Sequence, residues 1–350
     1  MVGLPAPRGP VSELLRHTLA HAPHALGAPR LPAWPDPLFD EDLQLSLYLL
    51  YELHYRGLPG VDDDWEWEPS LLALRGGLER VFEAALSEEV PRRQEAVAPD
   101  EIDLALREIA GHEGPPLSAY LRSSATLEQA REFLVHRSAY QLKEADPHSW
   151  AIPRLFGPPK AALIEIQADE YGGGRAEWMH CELFARAMRA VGLDAGYNAY
   201  LELIPAPTLA TVNLMSLFGL HRRLRGAIVG HLAVFEMTSS IPNRRYGDAL
   251  RRLGFDGEAT LFFDEHVAAD AVHENVAAVD LAGGLVRQDR ALAGDVLWGA
   301  RALSRIDERF ARHVLDRWRA GRTSLRRPLS AVGGPEVDEL MGAVAERLDP

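Results

Sequence analysis

Apolar residues recur at helical spacing along most of this chain of 350 residues. In the clearest segment, residues 39–56, Asp40 is placed to cap a helix and Gly57 to end it. The same period predicts further helices over 69–86, 101–109, 126–144, 160–170, 176–192, 206–238, 243–253, 258–281, 287–302 and 305–319. Alternating, β-branched patterns typical of strands are scarce. The predicted fold class is therefore all-α.

The helical pattern is interrupted at residues 112–116, where Gly114, Pro115 and Pro116 stop helices on both sides. We therefore predict a boundary near residue 115. The first part, 1–115, would be a helical region that is an accessory or dimerisation unit, or that packs as part of the same bundle. The second part, 116–350, contains the residues that suggest chemistry.

The composition of the chain excludes several classes of function. With 37 Lys and Arg against 51 Asp and Glu, the net charge is −14, so phosphate-backbone binding lacks a driving force and we expect no nucleic-acid partner. No unbroken apolar run reaches the roughly 18 residues of a membrane span. The opening 37 residues lack a secretory signal pattern, and the single Cys181 cannot form an internal disulfide, which favours a cytoplasmic location. One thiol also means that any metal must be held by His, Asp and Glu.

One predicted helix combines two histidines and a carboxylate on a single face. His266, Asp270 and His273 fall at i, i+4 and i+7, which corresponds to an arc of about 60°. The neighbouring residues are small and apolar, so the three side chains would enter a packed interior, where polar groups need partners. A metal ion would provide them, and we interpret the triplet as ligands. The alternative is a hydrogen-bonded or exposed polar stripe.

Carboxylates from other helices would be needed to balance two divalent ions. Glu236 lies near the end of a long apolar helix, where a charged side chain is out of place unless it binds a partner or reaches solvent. Glu144 ends an earlier helical segment and could face the same centre. Glu132 and His136 also have a metal-compatible spacing, but such pairs are common on solvated helix faces, which is how we interpret them.

A further histidine, His180, lies on a helix with an apolar face and alone would be read as a core residue. Its carboxylate partner is ambiguous. Glu177 forms the Glu-x-x-His pairing of ferritin-like sites. Glu170 lies on the same broad side only if the helix continues through Gly172 to Gly174, which is doubtful. Both glutamates stay open at this point.

Taken together, these residues resemble the ligand pattern of the haem-oxygenase-like di-iron oxidases, also called iron-containing redox enzymes, known from bacterial natural-product pathways. The resemblance covers roughly residues 120–310, and its order and spacing are similar to those of the N-oxygenating branch. The pattern consists of Glu144, Glu170, His180, Glu236, His266, Asp270 and His273. One departure is that some members place the second carboxylate three or seven residues before the histidine, and here these positions are Glu177 and Gly173. Glu177 therefore stays a substitute for Glu170.

The resemblance implies a haem-oxygenase-like helical bundle that holds two non-haem irons and uses dioxygen as co-substrate. Members hydroxylate amine nitrogens, cleave or desaturate fatty acids, or oxidise amino-acid side chains. The resemblance also implies a partition of ligands, with Glu236 as a candidate bridge. One iron would take Glu144, His180 and His273, and the other Glu170, His266 and Asp270.

The predicted function is thus a di-iron oxidase or oxygenase acting on a small amine, amino acid or acyl substrate. Its candidate partners are that small-molecule substrate, an electron donor or reductant, and a second copy in a homodimer. Two alternatives are a cofactor-free oxidase of the same fold and a non-catalytic helical protein that binds metal or haem. Haem would need an axial histidine facing an apolar slot.

Overall fold

The computed structural model describes residues 3–27, 30–93 and 97–329, without the side chains of residues 270–272. These parts are predominantly helical and contain no β-strand, which confirms the all-α prediction. In chain order the helices are α1 (Pro10–Leu19), α2 (Glu41–Glu52), α3 (Pro69–Glu89), α4 (Ile102–Ala110), α5 (Leu117–Ser124), α6 (Leu127–Gln141), α7 (Asp146–Ser149), α8 (Gly157–Glu170), α9 (His180–Ala190), α10 (Ala206–Leu220), α11 (Arg225–Arg252), α12 (Leu261–Asn275), α13 (Gly284–Gln288) and α14 (Ala293–Arg319).

Helix α2 begins where its sequence indicates but ends at Glu52, before the predicted end at residue 56. The Asp40 carboxylate accepts hydrogen bonds from the backbone N–H groups of Asp42 and Leu43, which satisfies two donors of the first turn. After Glu52 the chain turns, and Gly57 adopts a left-handed φ of 68° that few other residues tolerate. Side-chain capping therefore fixes the start of this helix, and the N–H of Gly57 donates to the carbonyl oxygen of Glu52 at 3.0 Å in the turn that follows its end.

Other helix ends differ from the predicted ones. The single helix predicted over 206–238 is two helices, α10 and α11, joined by a 3₁₀ turn at Arg222–Leu224. Neither the start of this turn nor the start of α11 has a side-chain cap, so the sequence carries no signal for the break. Conversely, α11 continues through Pro242, where a separate helix was expected to begin at residue 243. Helix α14 is likewise unbroken, whereas two helices were predicted over 287–302 and 305–319.

The long helix α11 lies at the centre of the bundle and packs against α12, α14 and α5. Helix α12 is followed directly by a π-helical segment, Val276–Gly283, which packs on α8. Helix α2 packs on α10, and one cluster of buried apolar side chains extends from Val11 to Leu325. The region 1–115 therefore shares its core with the rest of the described chain, and a division at residue 115 stays a prediction. None of the helices in the described ranges has the length and apolar character needed to cross a bilayer.

Two glycines allow α11 and α14 to cross at close range. A Cβ on Gly230 would overlap the carbonyl oxygen of Val296, and a Cβ on Gly299 would overlap that of Ala227. The two helix backbones are therefore in direct contact, because no side chain separates them. This crossing fixes the position of α11 less than two turns before Glu236.

We expect Gly230→Ala to destabilise the protein by about 1–3 kcal/mol or more, because the added methyl forces the two backbones apart. The measurement is the free energy of unfolding from denaturant titration. Gly76→Ala in α3 is the matched control, since its nearest neighbour is the end of the flexible Arg80 side chain at 3.7 Å. This control should be neutral or slightly stabilising. Equal stabilities of the two variants would contradict the close crossing.

Candidate metal centre

Six of the seven predicted ligands are buried side chains that converge on one place in the bundle. They are Glu144, Glu170, His180, Glu236, His266 and His273. Their ligand atoms form two groups, and within each group all of these atoms lie within 4.8 Å of one another. The first group contains Glu144, Glu170, His180 and His266, and the second contains Glu170, Glu236 and His273. Glu170 is common to both.

A glycine turn brings Glu170 and His180 together. Glu170 is the last residue of α8, and His180 is the first residue of α9. The chain between them turns through Gly172–Gly174, each with positive φ, and a short 3₁₀ helix at Ala176–Trp178. A Cβ on Gly172 would lie 2.6 Å from the carbonyl carbon of Trp178, so only glycine permits this turn. As a result, Nδ1 of His180 lies 2.9 Å from Oε2 of Glu170.

The structure distinguishes between the two glutamates left open by the sequence. Glu177 lies in the 3₁₀ helix with an exposed side chain and belongs to neither group. Glu170 is buried beside His180. Geometry therefore favours Glu170 as the ligand. The seventh predicted ligand, Asp270, has its backbone in α12 between the two histidines, but its side chain lies outside the described residues.

The grouping differs from the partition that the resemblance implies. His266 lies with Glu144 and His180, and not with Asp270 and Glu170 alone as expected. His273 lies with Glu236, and not with Glu144 and His180. The reason is the rise of the helix, because seven residues separate His266 from His273 by about 10 Å along α12. The carboxylate shared between the groups is Glu170, whereas Glu236 was the expected bridge.

Several atoms at the centre are buried without a hydrogen-bond partner among the described residues. They include both carboxylate oxygens of Glu144, Nδ1 of His180 and Nδ1 of His273. His266 Nε2 lies 3.5 Å from Glu144 Oε1, and His273 Nδ1 lies 3.4 Å from Glu236 Oε2. Buried polar atoms left in this way cost free energy, so they are uncommon in folded proteins. A bound cation would satisfy such oxygen and nitrogen atoms, because each can offer it a lone pair. The residues present therefore fit a metal centre.

Hydrogen bonds on the far side of two imidazoles fix which nitrogen faces the centre. Nδ1 of His266 donates to the carbonyl oxygen of Phe262 at 2.9 Å, which leaves Nε2 for the centre. Nε2 of His273 donates to Oδ2 of Asp169 at 3.0 Å, which leaves Nδ1. Such outer hydrogen bonds set ring orientation and tautomer in metal-binding histidines.

The charged groups perturb one another's pKa values strongly. Burial raises the pKa of Glu144, although His266 opposes this shift. Burial also acts to raise the pKa of Glu170, but His180 and the other two imidazoles outweigh it and lower this pKa to about 2. For His273, burial acts to lower the pKa, but the nearby carboxylate of Glu236, together with those of Asp169 and Glu170, raises it to about 9. The shifts of Glu170 and His273 thus favour their charged forms, whereas the shift of Glu144 favours its neutral form.

Two further side chains at the centre were not identified from the sequence. Tyr140 and His148 line a cavity of about 10 Å³, enough for roughly one water-sized sphere, together with Glu170, Glu236 and His266. Nε2 of His148 lies 3.1 Å from Nδ1 of His231, and burial lowers the pKa of His148 to about 4. The position of Tyr140, one turn before Glu144, was the only sequence signal for either residue.

Glu132 and His136 do not form a solvated helix face, and that interpretation was wrong. Both are buried. Glu132 accepts hydrogen bonds from Trp318 Nε1 at 2.7 Å and from the Ser324 hydroxyl at 2.6 Å. His136 contacts the hydroxyls of Thr208 and Ser324. The pair holds the segment after α14 against α6, away from the metal-site groups.

Comparison with known proteins agrees with this geometry. The model of the iron-containing redox enzyme family matches residues 131–308, which include all seven predicted ligand positions. The match covers more than half of the chain, and the chain belongs to this family of iron-containing redox enzymes. No curated protein sequence matches it.

We expect Glu170→Ala to lower metal binding at both groups, because this carboxylate is common to them. Anaerobic loading with ferrous iron, followed by gel filtration and metal analysis, should give much less iron per chain than in the wild type. Glu177→Ala is the matched control, since it removes an exposed glutamate only seven residues away and should retain the wild-type content. Equal losses in the two variants would contradict the grouping.

Proposed function

We propose that this protein is a non-haem di-iron oxidase or oxygenase that uses dioxygen to oxidise a small-molecule substrate. The observation that carries the proposal is the pair of carboxylate–histidine groups that share Glu170. Carboxylate and imidazole donors together suit iron. Carboxylates and histidines that project inward from several helices are how helical bundles hold two-iron centres.

In this proposal, Glu144, His180 and His266 would hold the first iron, and Glu170 would serve both irons. Glu236 and His273 would hold the second iron, with Asp270 as a further ligand predicted from the sequence. When bound, the two irons would supply the electrons and the coordination that activate dioxygen.

Aromatic side chains exclude water from one side of the centre. The ring centroid of Phe262 lies 4.3 Å from that of His266 and 6.4 Å from that of His180. Phe184 packs on Phe262 at 5.0 Å. Such a wall limits proton leakage and side reactions while it strengthens the electrostatic interactions inside.

A cavity of about 260 Å³ next to the centre supports a small substrate. Phe235 and Ser239 line both this cavity and the small cavity among the ligands, so a molecule in it would meet the metals past these two side chains. Arg137 and Gln141 also line it, and Oε1 of Gln141 is buried without a hydrogen-bond partner. An amine or amino acid would supply the missing N–H donor, so these groups favour such a substrate over an acyl chain. An electron donor or reductant and a homodimer stay predictions.

The donor set also argues against the two alternatives. A cofactor-free oxidase would leave the oxygens of Glu144 buried and unpaired at a cost of free energy. Haem iron is held by axial histidine, cysteine, methionine or tyrosine. The centre instead offers three carboxylates beside the histidines, a donor set that suits non-haem iron.

The test is anaerobic reconstitution with ferrous iron, metal quantification and rapid mixing with oxygen. We expect about two irons per chain and a transient visible absorption that decays faster when a productive amine or amino acid is present. A Soret band in the protein as purified, or the absence of stoichiometric iron, would refute the proposal. His266→Ala should lose the absorption.

We expect Leu303→Trp to abolish the substrate effect without changing the iron content. Leu303 in α14 lines the 260 Å³ cavity, and the indole would fill much of its volume. The measurement is oxygen consumption with and without substrate at equal iron loading. Leu104→Trp, which changes an exposed side chain of α4, is the matched control and should behave as wild type. Normal substrate-dependent turnover in Leu303→Trp would place the substrate elsewhere.

A further inference from the structure

Glu144 differs from the other buried ligands because it lies in a turn and not in a helix. Helix α6 ends at Gln141, and Ala145 adopts a left-handed φ of 72°. The N–H of Glu144 makes only a long 3.4 Å hydrogen bond to the carbonyl of Gln141. The Glu144 carboxylate has no hydrogen bond of its own among the described residues. Contacts from outside the turn must therefore fix where this carboxylate lies.

The residue beside it, Lys143, makes such a contact. Its side chain is 1% exposed and forms an ion pair with Glu52 in α2, which is fully buried. The other carboxylate oxygen of Glu52 accepts a hydrogen bond from the Tyr197 hydroxyl at 2.5 Å. The ammonium nitrogen lies 4.7 Å and 4.5 Å from the ring centroids of Tyr48 and Tyr55. The cation is thus enclosed on several sides.

This enclosure fixes the turn because a buried ammonium is very unfavourable without its counter-charge. Lys143 cannot move away from Glu52 without leaving both charges unpaired. A movement of the Lys143 backbone would carry Glu144 with it. On the opposite side, the Gln167 amide donates to the carbonyl oxygen of Ala145 at 3.0 Å. The turn is held from α2 at one end and from α8 at the other.

We propose that the Lys143–Glu52 ion pair positions Glu144 for metal binding, so that helix α2 from the amino-terminal region is a functional part of the metal centre. The proposal rests on the proposed function in that it takes Glu144 as a ligand. Lys143 and Glu52 are positioning residues, because neither belongs to a ligand group. Loss of the pair should affect the ion held by Glu144 and spare the one held by Glu236 and His273.

The experiment is anaerobic titration of the metal-free full-length protein with ferrous iron, with cobalt(II) absorption as a second probe of ligand geometry. In Lys143→Met we expect one of the two ions to bind about 10–100-fold more weakly, as for other outer partners of metal ligands. The other ion should bind the empty centre with wild-type affinity. Arg8→Met is the matched control. It also removes a buried cation of the amino-terminal region, paired with Glu41 at 2.8 Å, and should leave both affinities unchanged.

Two double variants separate positioning from folding. Lys143→Met with Glu52→Gln removes both charges, so no unpaired charge is left buried, and the protein should fold as judged by circular dichroism. We still expect the first ion to bind weakly. Lys143→Arg with Glu52→Asp keeps both charges and nearly the same combined side-chain length, and should recover most of the affinity. Amide exchange in residues 142–146 of the metal-free protein should rise in the charge-free variant and stay near the wild-type rate in the variant that keeps both charges.

The outcomes distinguish a failure of the positioning role from a failure of the metal centre. If the folded charge-free variant binds both ions with wild-type affinity, the positioning role is wrong and the metal centre stands. Equal weakening of both ions, or the same weakening in Arg8→Met, also overturns the positioning role. If the wild-type protein binds no iron, the metal centre itself is wrong and this inference fails with it.

Discussion

The organisation of the bundle depends on the cost of burying carboxylates and imidazoles away from water. Such groups are tolerated in a helical core only where opposite charges or a cation compensate them. Here six of them meet where α8, α9, α11 and α12 and the turn after α6 come together, and several of their atoms are unpaired. The packing around them, from the crossing of α11 and α14 at Gly230 and Gly299 to the Phe262 wall, holds these side chains close although three of them are carboxylates.

Much of the centre could be predicted from the sequence, because helical periodicity determines which side chains share one face of a helix. His266 and His273 follow from helical spacing, and Glu236 follows from a charge within an apolar helix. The distinction between Glu170 and Glu177 depends on the turn at Gly172. The close approach of this turn to Trp178 cannot be predicted from residue spacing. The side chain of Asp270 lies outside the described residues, so its role as a ligand stays a prediction.

The fold, too, could be predicted only where helical periodicity or a capping residue marks it. The class and most helices follow from periodicity, whereas the break between α10 and α11 does not, because no side-chain cap marks it. Ion pairs between residues far apart in the chain cannot be predicted from periodicity either. Lys143 and Glu52 are 91 positions apart, and each alone reads as an ordinary surface charge on a helix. Only the folded chain shows that one buried ion pair joins the amino-terminal region to the turn that contains Glu144.

The shared position of Glu170 has a thermodynamic consequence. Because one carboxylate belongs to both ligand groups, an ion bound at one group of the proposed two-iron centre would change the charge and orientation that the other ion encounters. The two binding events would then be linked, so that each ion alters the affinity for the other by the same factor. Each ion would have one affinity for the empty centre and another beside its neighbour, and the population of the half-loaded form would depend on the sign of that coupling.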